Sequence, residues 1–444
     1  PSRGMRNSLC RRARWGRKSA RWPPTRHDGF WTAWESPPLS SRSMGAPVRF
    51  PIHPGEHART HLREGRAAGG EVEVRGIAVH RARCPASWAM RIIRAGTVFD
   101  GERVRRDCEV VVDDGRIVEV RAWSPAPEGV KVIDFGPGTT ILPGLVDGHQ
   151  HLSWGCTPAV VDGIPDDPGV QRALILSNAR RALAGGVTTV ADLGDRGYAV
   201  LDLRDACRGD RSLPRILASG PPLTTPGGHC HFLAGAVTHP GAVASAVAER
   251  ADRGVDVIKV MASGGNITPG SLPWDSQLDA TALRTLVRAA GDRGLPVAAH
   301  AHGGAAIRDC VMAGVHTIEH GTFMTAESVE QDPEIVHALA ASGIVVRGTP
   351  GVVPGGPPLP PAVAERAAGI LAGMRHLVAR GVRVVVSSDA GIGPGKPHDV
   401  MAYGVIQAGD LLGQPMAALT AATAHAADAL GLGAECGRLA SSRA

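Results

Sequence analysis

The sequence predicts an α/β fold whose main part is a closed (β/α)8 barrel of the TIM type, preceded by a small β-sheet domain. After residue 137, short apolar segments alternate with Ala- and Arg-rich segments of helical length, which is typical of parallel strands joined by helices. Eight strand segments fall within about 290 residues, which favours a closed barrel over an open sheet. No Gly-x-Gly-x-x-Gly motif follows a strand, so the dinucleotide-binding alternative is weak.

The composition is that of a globular, loop-rich chain. Of the 444 residues, 43% are apolar and 20% charged, with 57 glycines and 34 prolines. No apolar run approaches the roughly 18 residues of a membrane span. The eight cysteines show no Cys-x-x-Cys spacing, which argues against a zinc knuckle or a disulfide framework and favours a reducing, cytoplasmic setting.

The net charge of +6 comes from an N-terminal segment, residues 1–89. This segment holds 17 Lys and Arg against 6 Asp and Glu, whereas the remainder holds 31 against 36. It has neither a sustained helical or strand period nor the apolar stretch of a signal peptide. We expect a disordered or non-native leader, with the native start near Met90; the alternative is a basic tail that binds RNA or an acidic surface.

Two regions follow the leader. Residues 90–137 contain the alternating apolar runs "RIIRAG", "CEVVVDDGRIVEV" and "VKVIDF", which predict antiparallel strands of the small sheet. Residues 138–432 form the predicted barrel, and several of its helical segments end at Gly with Arg in the last turn. Its strand segments are "TILPGLVDGH", "VTTVADLG", "RILASG", "VDVIKVMASG", "LPVAAHAH", "VHTIEHG", "GIVVRGTP" and "VRVVVSSDAG".

Residues that can bind metal stand at the ends of five of these strands. His149 and His151 are two positions apart, so on a strand they face the same side. In (β/α)8 barrels the carboxyl ends of the strands form the active site. Neutral imidazoles with a carboxylate suit Zn²⁺, Mn²⁺ or Co²⁺. The other candidates at strand ends are Lys259, His300, His302, His320 and Asp389.

The segment "PGLVDGHQH", followed in order by Lys, His, His and Asp at later strand ends, resembles the amidohydrolase superfamily over residues 92–437. Three further segments, "ASGGNITPGSLPWDSQ", "HAHGGAAIRDCVMAGVHTIEHGT" and "TTPGGHCHF", are similar to its imidazolonepropionase-like branch. That branch includes metal-dependent Xaa-Pro and Xaa-Arg dipeptidases and ochratoxin-type amidases. The resemblance implies a metal-dependent hydrolase of C–N bonds acting on a dipeptide or an N-acyl amino acid.

The same resemblance implies a site with two divalent ions, for which we expect Zn²⁺. It implies that His149, His151 and Asp389 bind the more buried ion, that His300 and His320 bind the second, and that a carboxylated Lys259 bridges them. The residues support the last point, because a protonated lysine among cations would be repelled. Lys259 must therefore be deprotonated, converted to a carbamate, or turned away.

Catalytic and substrate-binding roles follow from this arrangement. Asp389 would take the proton of the attacking water and pass it to the leaving amine. A neutral donor to the substrate carbonyl is expected in His302, with His229 second, although His302 could instead support His300. Arg347 is a candidate clamp for a substrate carboxylate, or a structural salt-bridge partner. His231 and His398 have weaker cases, and Asp147 is expected to support the geometry of the first histidines.

The chain end departs from the family pattern. Residues 433–444 begin the turn that usually leads back to the small sheet, and we expect a truncated segment that leaves a sheet edge unpaired.

The alternatives to a dipeptidase or amidase function are hydrolysis of a cyclic amide or imidazolone-type ring, an inactive barrel scaffold, and a nucleic-acid binder built on the leader. We expect a small-molecule substrate with an amide bond and a carboxylate, no membrane and no nucleic acid, and leave a homo-oligomer open.

Overall fold

The computed structural model describes residues 90–159 and 163–441, so the prediction for the basic leader lies outside the described residues. Within these ranges, no helix is long and apolar enough to cross a membrane. The described residues form two small β-sheets followed by alternating parallel strands and helices, which confirms the predicted α/β class.

Seven short strands build the two small sheets, in the orders β5-β4-β1-β6 and β3-β2-β7. Two of their pairings are parallel, β1 with β6 and β2 with β7, where the sequence predicted antiparallel strands. The connection before β6 is a Pro-rich stretch, "WSPAPEG", that carries the chain back so that it enters beside β1 in the same direction. The strands are β1 Arg91–Arg94, β2 Thr97–Phe99, β3 Val104–Arg106, β4 Cys108–Asp113, β5 Arg116–Ala122, β6 Lys131–Asp134 and β7 Thr140–Ile141.

The small sheets extend past the predicted boundary at residue 137, because β7 still pairs with β2. Residues near the end of the described chain also contact these sheets. The Leu439 amide donates to the Asp100 carbonyl at 2.9 Å, and its side chain packs against the cluster around Val98 and Val110. Residues near the chain end therefore contact the sheet that we expected to lack partner strands.

Eight parallel strands follow, in the orders β10-β9-β8 and β11-β12-β13-β14-β15. Backbone bridges connect the two sheets, one between Leu223 and Val260 and one between Gln150 and Ala390. The strands are β8 Leu145–Gln150, β9 Val187–Asp192, β10 Arg215–Ala218, β11 Ile258–Met261, β12 Val297–Ala301, β13 Thr317–His320, β14 Val345–Gly348 and β15 Arg383–Val386.

Within the described residues, ten α-helices connect and follow these strands, and some of them end at glycine with arginine in the last turn, as the sequence predicted. Asp167, Asp279 and Asp332 each cap a helix by accepting a backbone N–H, and Gly254 ends a helix whose last turn contains Arg253. The helices are α1 Pro168–Ala184, α2 Ala199–Ala206, α3 Val243–Arg253, α4 Ala280–Asp292, α5 Gly304–Ala313, α6 Pro333–Ser342, α7 Pro361–Ala379, α8 Met401–Leu412, α9 Pro415–Ala421 and α10 Ala424–Ala429.

The parallel strands are buried almost throughout, and their valines, isoleucines and alanines pack against the helices in one large apolar core. Such burial explains why these strands read as continuous apolar runs. Many of the buried polar residues lie in these strands or directly after them, and among them are His149, Lys259, His300 and Asp389. Strand order thus brings residues that are far apart in sequence to one end of the parallel strands.

Candidate metal centre

Two groups of three side chains at the carboxyl ends of the strands can each hold a metal ion. In each group the potential ligand atoms lie within 4.8 Å of one another. All six residues are buried. The groups are His149, His151 and Asp389, and His300, His302 and His320.

Asp389 forms the centre of the first group. Its Oδ1 lies 3.3 Å from His149 Nε2 and 3.2 Å from His151 Nε2. Burial opposes its ionisation, but His149 and the hydrogen-bonded His151 hold the pKa of Asp389 below its ordinary value. The carboxylate is therefore the stable form of this side chain.

The end of β9 orients His151. The His151 Nδ1 lies 3.3 Å from the Gly194 carbonyl, which also accepts the Trp154 indole N–H at 3.2 Å. The Asp192 carboxylate accepts the Leu152 amide at 2.6 Å. These contacts direct the other ring nitrogen of His151 towards Asp389.

Asp147 supports the site through the backbone and not through an imidazole. Its carboxylate accepts the amides of His149, at 3.2 Å, and Ser388, at 3.0 Å, and the Gln150 amide group at 2.8 Å. It thereby joins β8 to the segment that carries Asp389.

In the second group, each histidine has one ring nitrogen engaged by a neighbour. His300 Nε2 lies 2.9 Å from the Gly264 carbonyl, His302 Nδ1 lies 2.8 Å from the Thr322 hydroxyl, and His320 Nδ1 lies 2.9 Å from the Thr349 hydroxyl. The opposite nitrogen of each ring remains available to a ligand. His302 and His320 stack with ring centroids 4.6 Å apart, so His302 belongs to this group together with the two residues that the family resemblance assigned to it.

Five buried histidines of the site have lowered pKa values and are neutral in the folded protein near pH 7. Burial lowers the pKa of His149 and of His302 to about 4 and that of His229 to about 3, and it lowers the pKa values of His300 and His320 well below the ordinary value. A neutral imidazole keeps a lone pair, which is the form that binds a metal ion.

Lys259 lies beside both groups and is 1% exposed. Its Nζ has no hydrogen-bond partner among the described residues, and burial lowers its pKa. A buried ammonium group without a partner is costly. The site therefore suits a neutral or modified lysine, as the sequence reasoning required.

Glu319 is a site residue that the sequence reasoning missed. Its Oε2 lies 2.8 Å from His149 Nδ1, and its Oε1 accepts the Arg347 guanidinium and the Thr317 hydroxyl, both at 2.7 Å. Although burial opposes ionisation, Arg347 and His149 lower the pKa of Glu319. The available signal was a carboxylate inside the apolar strand "VHTIEHG".

Arg347 is 2% exposed and engaged in this ion pair, which is the structural arrangement left open as the alternative to a carboxylate clamp. Its guanidinium crosses β8 at Gly148, where an added Cβ would lie 2.6 Å from Arg347 Nε. Because the Arg347 charge is already paired with Glu319, a different residue would have to bind a substrate carboxylate.

The remaining predicted histidines fall into three situations. His229 is buried, and its ring centroid lies 4.6 Å from that of His300. His398 is also buried, with Nε2 lying 3.2 Å from the Trp154 carbonyl, which is a supporting contact behind His151. His231 is exposed. Of these three, His229 is the one with a ring contact to a ligand group, through His300.

Comparisons with known proteins give a family and several relatives. A family model described as "Amidohydrolase family" matches residues 140–442. The chain is 28% identical to ochratoxinase of Aspergillus niger over 296 residues, an alignment that spans 59% of this chain and 59% of that relative's length. A crystal structure of a Xaa-Pro dipeptidase with methionine bound in its active site superposes with a TM-score of 0.69, at 25% identity, covering 80% of this chain and 92% of the other. A prolidase complexed with N-methylphosphonate-L-proline gives 0.68 at 26% identity, covering 80% and 91%.

Proposed function

The chain belongs to the amidohydrolase family, and from that premise we propose that it is a metal-dependent hydrolase of the amide bond in a dipeptide or N-acyl amino acid. The observation that carries the proposal is the pair of three-residue ligand groups beside a buried lysine that has no hydrogen-bond partner in the described part of the chain. The likeness to a Xaa-Pro dipeptidase, a prolidase and an ochratoxinase supports an amide substrate.

We infer that residues 138–432 form a closed (β/α)8 barrel. The two bridges between the parallel sheets support closure, since one joins the region after β10 to β11 and the other joins the region after β15 to β8. In such a barrel the strand ends converge on one mouth, where both ligand groups lie.

The residues present fit two divalent cations, for which Zn²⁺ is the proposed identity. His149, His151 and Asp389 would hold one ion, and His300 and His320 the other, with His302 close enough to contribute. Ions bound there would lower the pKa of a water molecule and polarise the substrate carbonyl.

Lys259 is proposed to be carboxylated. Its neutral amine would add carbon dioxide with formation of an N–C bond and loss of one proton, which yields a carbamate anion. That anion would replace a poorly placed cation with carboxylate oxygens that could bind metal, and burial favours the neutral amine that the addition requires.

Asp389 is the proposed proton carrier. Its carboxylate is ionised and lies close to the ring nitrogens of His149 and His151, so it can accept a proton as water attacks the carbonyl carbon. The same proton would pass to the amine nitrogen as the C–N bond breaks, which releases a carboxylate and an amine.

His302 is the proposed donor to the carbonyl oxygen, with His229 as the second candidate. Because the Thr322 hydroxyl can donate to His302 Nδ1, the tautomer with a proton on Nε2 is available. A neutral donor preorganised in this way stabilises the negative charge that develops on the oxygen.

The test pairs metal analysis with a panel of dipeptides and N-acyl amino acids, using the wild type, Asp389→Asn and Asp399→Asn. Asp399 is a half-exposed carboxylate paired with Arg181, which makes its variant a matched control. We expect bound divalent metal in the wild type and a fall in kcat of about 10²- to 10⁴-fold in Asp389→Asn only. Active protein without metal, or undiminished turnover by Asp389→Asn, would refute the proposed mechanism.

A further inference from the structure

Lys396 lies in the loop after β15 and binds two backbone carbonyls from different strand ends. Its Nζ donates to the Thr349 carbonyl at 2.9 Å and to the Ser388 carbonyl at 2.7 Å. Thr349 follows β14, and Ser388 follows β15. One ammonium group therefore ties the two strand ends together.

Each of these carbonyls belongs to a residue next to a proposed metal ligand. The Thr349 hydroxyl lies 2.9 Å from His320 Nδ1, and Ser388 directly precedes Asp389. His320 belongs to one ligand group and Asp389 to the other. The position of Lys396 thus affects both groups at once.

The two ligands need such support, because both have a left-handed backbone. The φ angle is 67° at His320 and 57° at Asp389. Residues other than glycine adopt this conformation at a steric cost, and they keep it only where the surrounding contacts impose it. Lys396 holds the carbonyl of Ser388, directly before Asp389, and the carbonyl of Thr349, whose hydroxyl lies against the His320 ring.

The loop that carries Lys396 is closed by its own backbone hydrogen bonds and packs against His151, directly after β8. The Gly391 amide donates to the Lys396 carbonyl at 2.8 Å, and the Lys396 amide donates to the Gly393 carbonyl at 2.9 Å. Gly391 has a φ of +109°, and a Cβ there would lie 2.5 Å from the His151 carbonyl oxygen. This close approach fixes the position of the loop and therefore the position of Lys396.

We propose that Lys396 is a positioning residue that sets the places of His320 and Asp389 and, through them, the ability of the two ligand groups to hold metal. The inference rests on the proposed function, since it takes these residues as ligands. A lysine suits the task because one ammonium group offers three donors from a single point, whereas a methionine of similar length would leave both carbonyls without their donor.

The test compares the wild type with Lys396→Met, Lys396→Arg and the exposed-site control Lys131→Met. Hydrogen exchange of the metal-free proteins is followed by mass spectrometry in peptides covering residues 349–351 and 388–391. Co²⁺ is then titrated into each protein while its visible absorption spectrum and its release to a chelator are recorded.

We expect Lys396→Met to exchange about tenfold faster in these peptides than the wild type. We also expect it to bind Co²⁺ about 10- to 100-fold more weakly, with an altered spectrum. Lys396→Arg should recover part of both properties, and Lys131→Met should match the wild type.

Unchanged exchange in Lys396→Met overturns the positioning role, whatever the metal data show. A wild-type cobalt spectrum and affinity in that variant overturn it as well. A wild type that binds no Co²⁺ overturns the proposed function instead, and in that case the exchange comparison still decides whether Lys396 holds the strand ends. The two failures are therefore distinguishable.

Discussion

At the scale of single residues, the site depends on a buried ion pair beneath the ligands. Glu319 and Arg347 lie 2.7 Å apart with almost no exposure, and the other carboxylate oxygen of Glu319 lies 2.8 Å from His149. Charges that are paired in this way tolerate burial, but either partner left alone does not. The pair therefore couples the stability of the fold to the orientation of a ligand.

A double-mutant cycle tests this coupling. We expect Glu319→Gln and Arg347→Met each to lower the free energy of unfolding by about 3–5 kcal/mol, because each leaves a buried charge without its partner. The double variant should lose clearly less than the sum of the two losses. Urea unfolding of the four metal-free proteins measures these values, and strict additivity would contradict the coupling.

The residue scale also shows what sequence reasoning could reach. His149 and His151 follow strand alternation, so their common direction was predictable. Glu319 and His320 are adjacent, and regular alternation sends adjacent side chains to opposite faces. The left-handed backbone at His320 breaks that rule, and nothing in the local sequence announces it. For the same reason the contact of Glu319 with His149 could not be predicted.

At the scale of elements, the helices owe part of their stability to their caps. The Asp279 carboxylate accepts the Ala282 amide at 2.7 Å and so closes the N-terminus of α4. That helix packs against α3 and α5 around the apolar core.

We expect Asp279→Ala to lower the free energy of unfolding by about 1 kcal/mol, because an amide at the helix start loses its acceptor. Asp292→Ala, at the other end of α4, is the control. An acidic residue near a helix C-terminus opposes the helix dipole, so its removal should be neutral or slightly stabilising. Urea unfolding distinguishes the two, and equal losses would argue against a capping effect.

Among the elements, the buried parallel strands were the easiest to predict from the sequence, since runs such as "VDVIKVM" are apolar on both faces. The strand pairing of the small sheets was harder to predict. Their short strands can pair in either direction, and the parallel pairing of β1 with β6 is decided by the path of a Pro-rich connection and not by the strand residues themselves. Pairing partners therefore had to come from the structure.

At the scale of the whole molecule, the fold keeps a large set of buried histidines neutral. Burial lowers the pKa of His149, His302 and His398 to about 4, whereas an unfolded histidine titrates near 6.5. Between these values the unfolded chain binds more protons than the folded one, so stability is lost as the pH falls from about 6.5 towards 4. Burial raises the pKa of Asp195 to about 8 and also raises the pKa values of Asp147 and Asp192, and these carboxyl groups act in the opposite direction. The histidines with lowered pKa values outnumber them.

We therefore expect the metal-free protein to be less stable at pH 5.5 than at pH 7. His398→Gln should reduce the slope of the unfolding free energy against pH, because it removes one histidine that the fold holds neutral. The loss of one bound proton corresponds to a slope change of up to about 1.4 kcal/mol per pH unit. Urea unfolding of both proteins at several pH values measures the slopes. Identical slopes would show that His398 titrates alike in the folded and unfolded states.

The crossing of Arg347 over Gly148 restricts how this chain can change by single steps. The smallest side chain, an alanine methyl, would meet the guanidinium and push it away from Glu319. Glu319 would then lose the partner that keeps it ionised beside His149. Replacing the glycine of the Asp-Gly-His-x-His segment would thus require a compensating change at Arg347, about two hundred residues away in sequence. Evolution by single substitutions is therefore restricted at this position of the strand that carries the first two histidines.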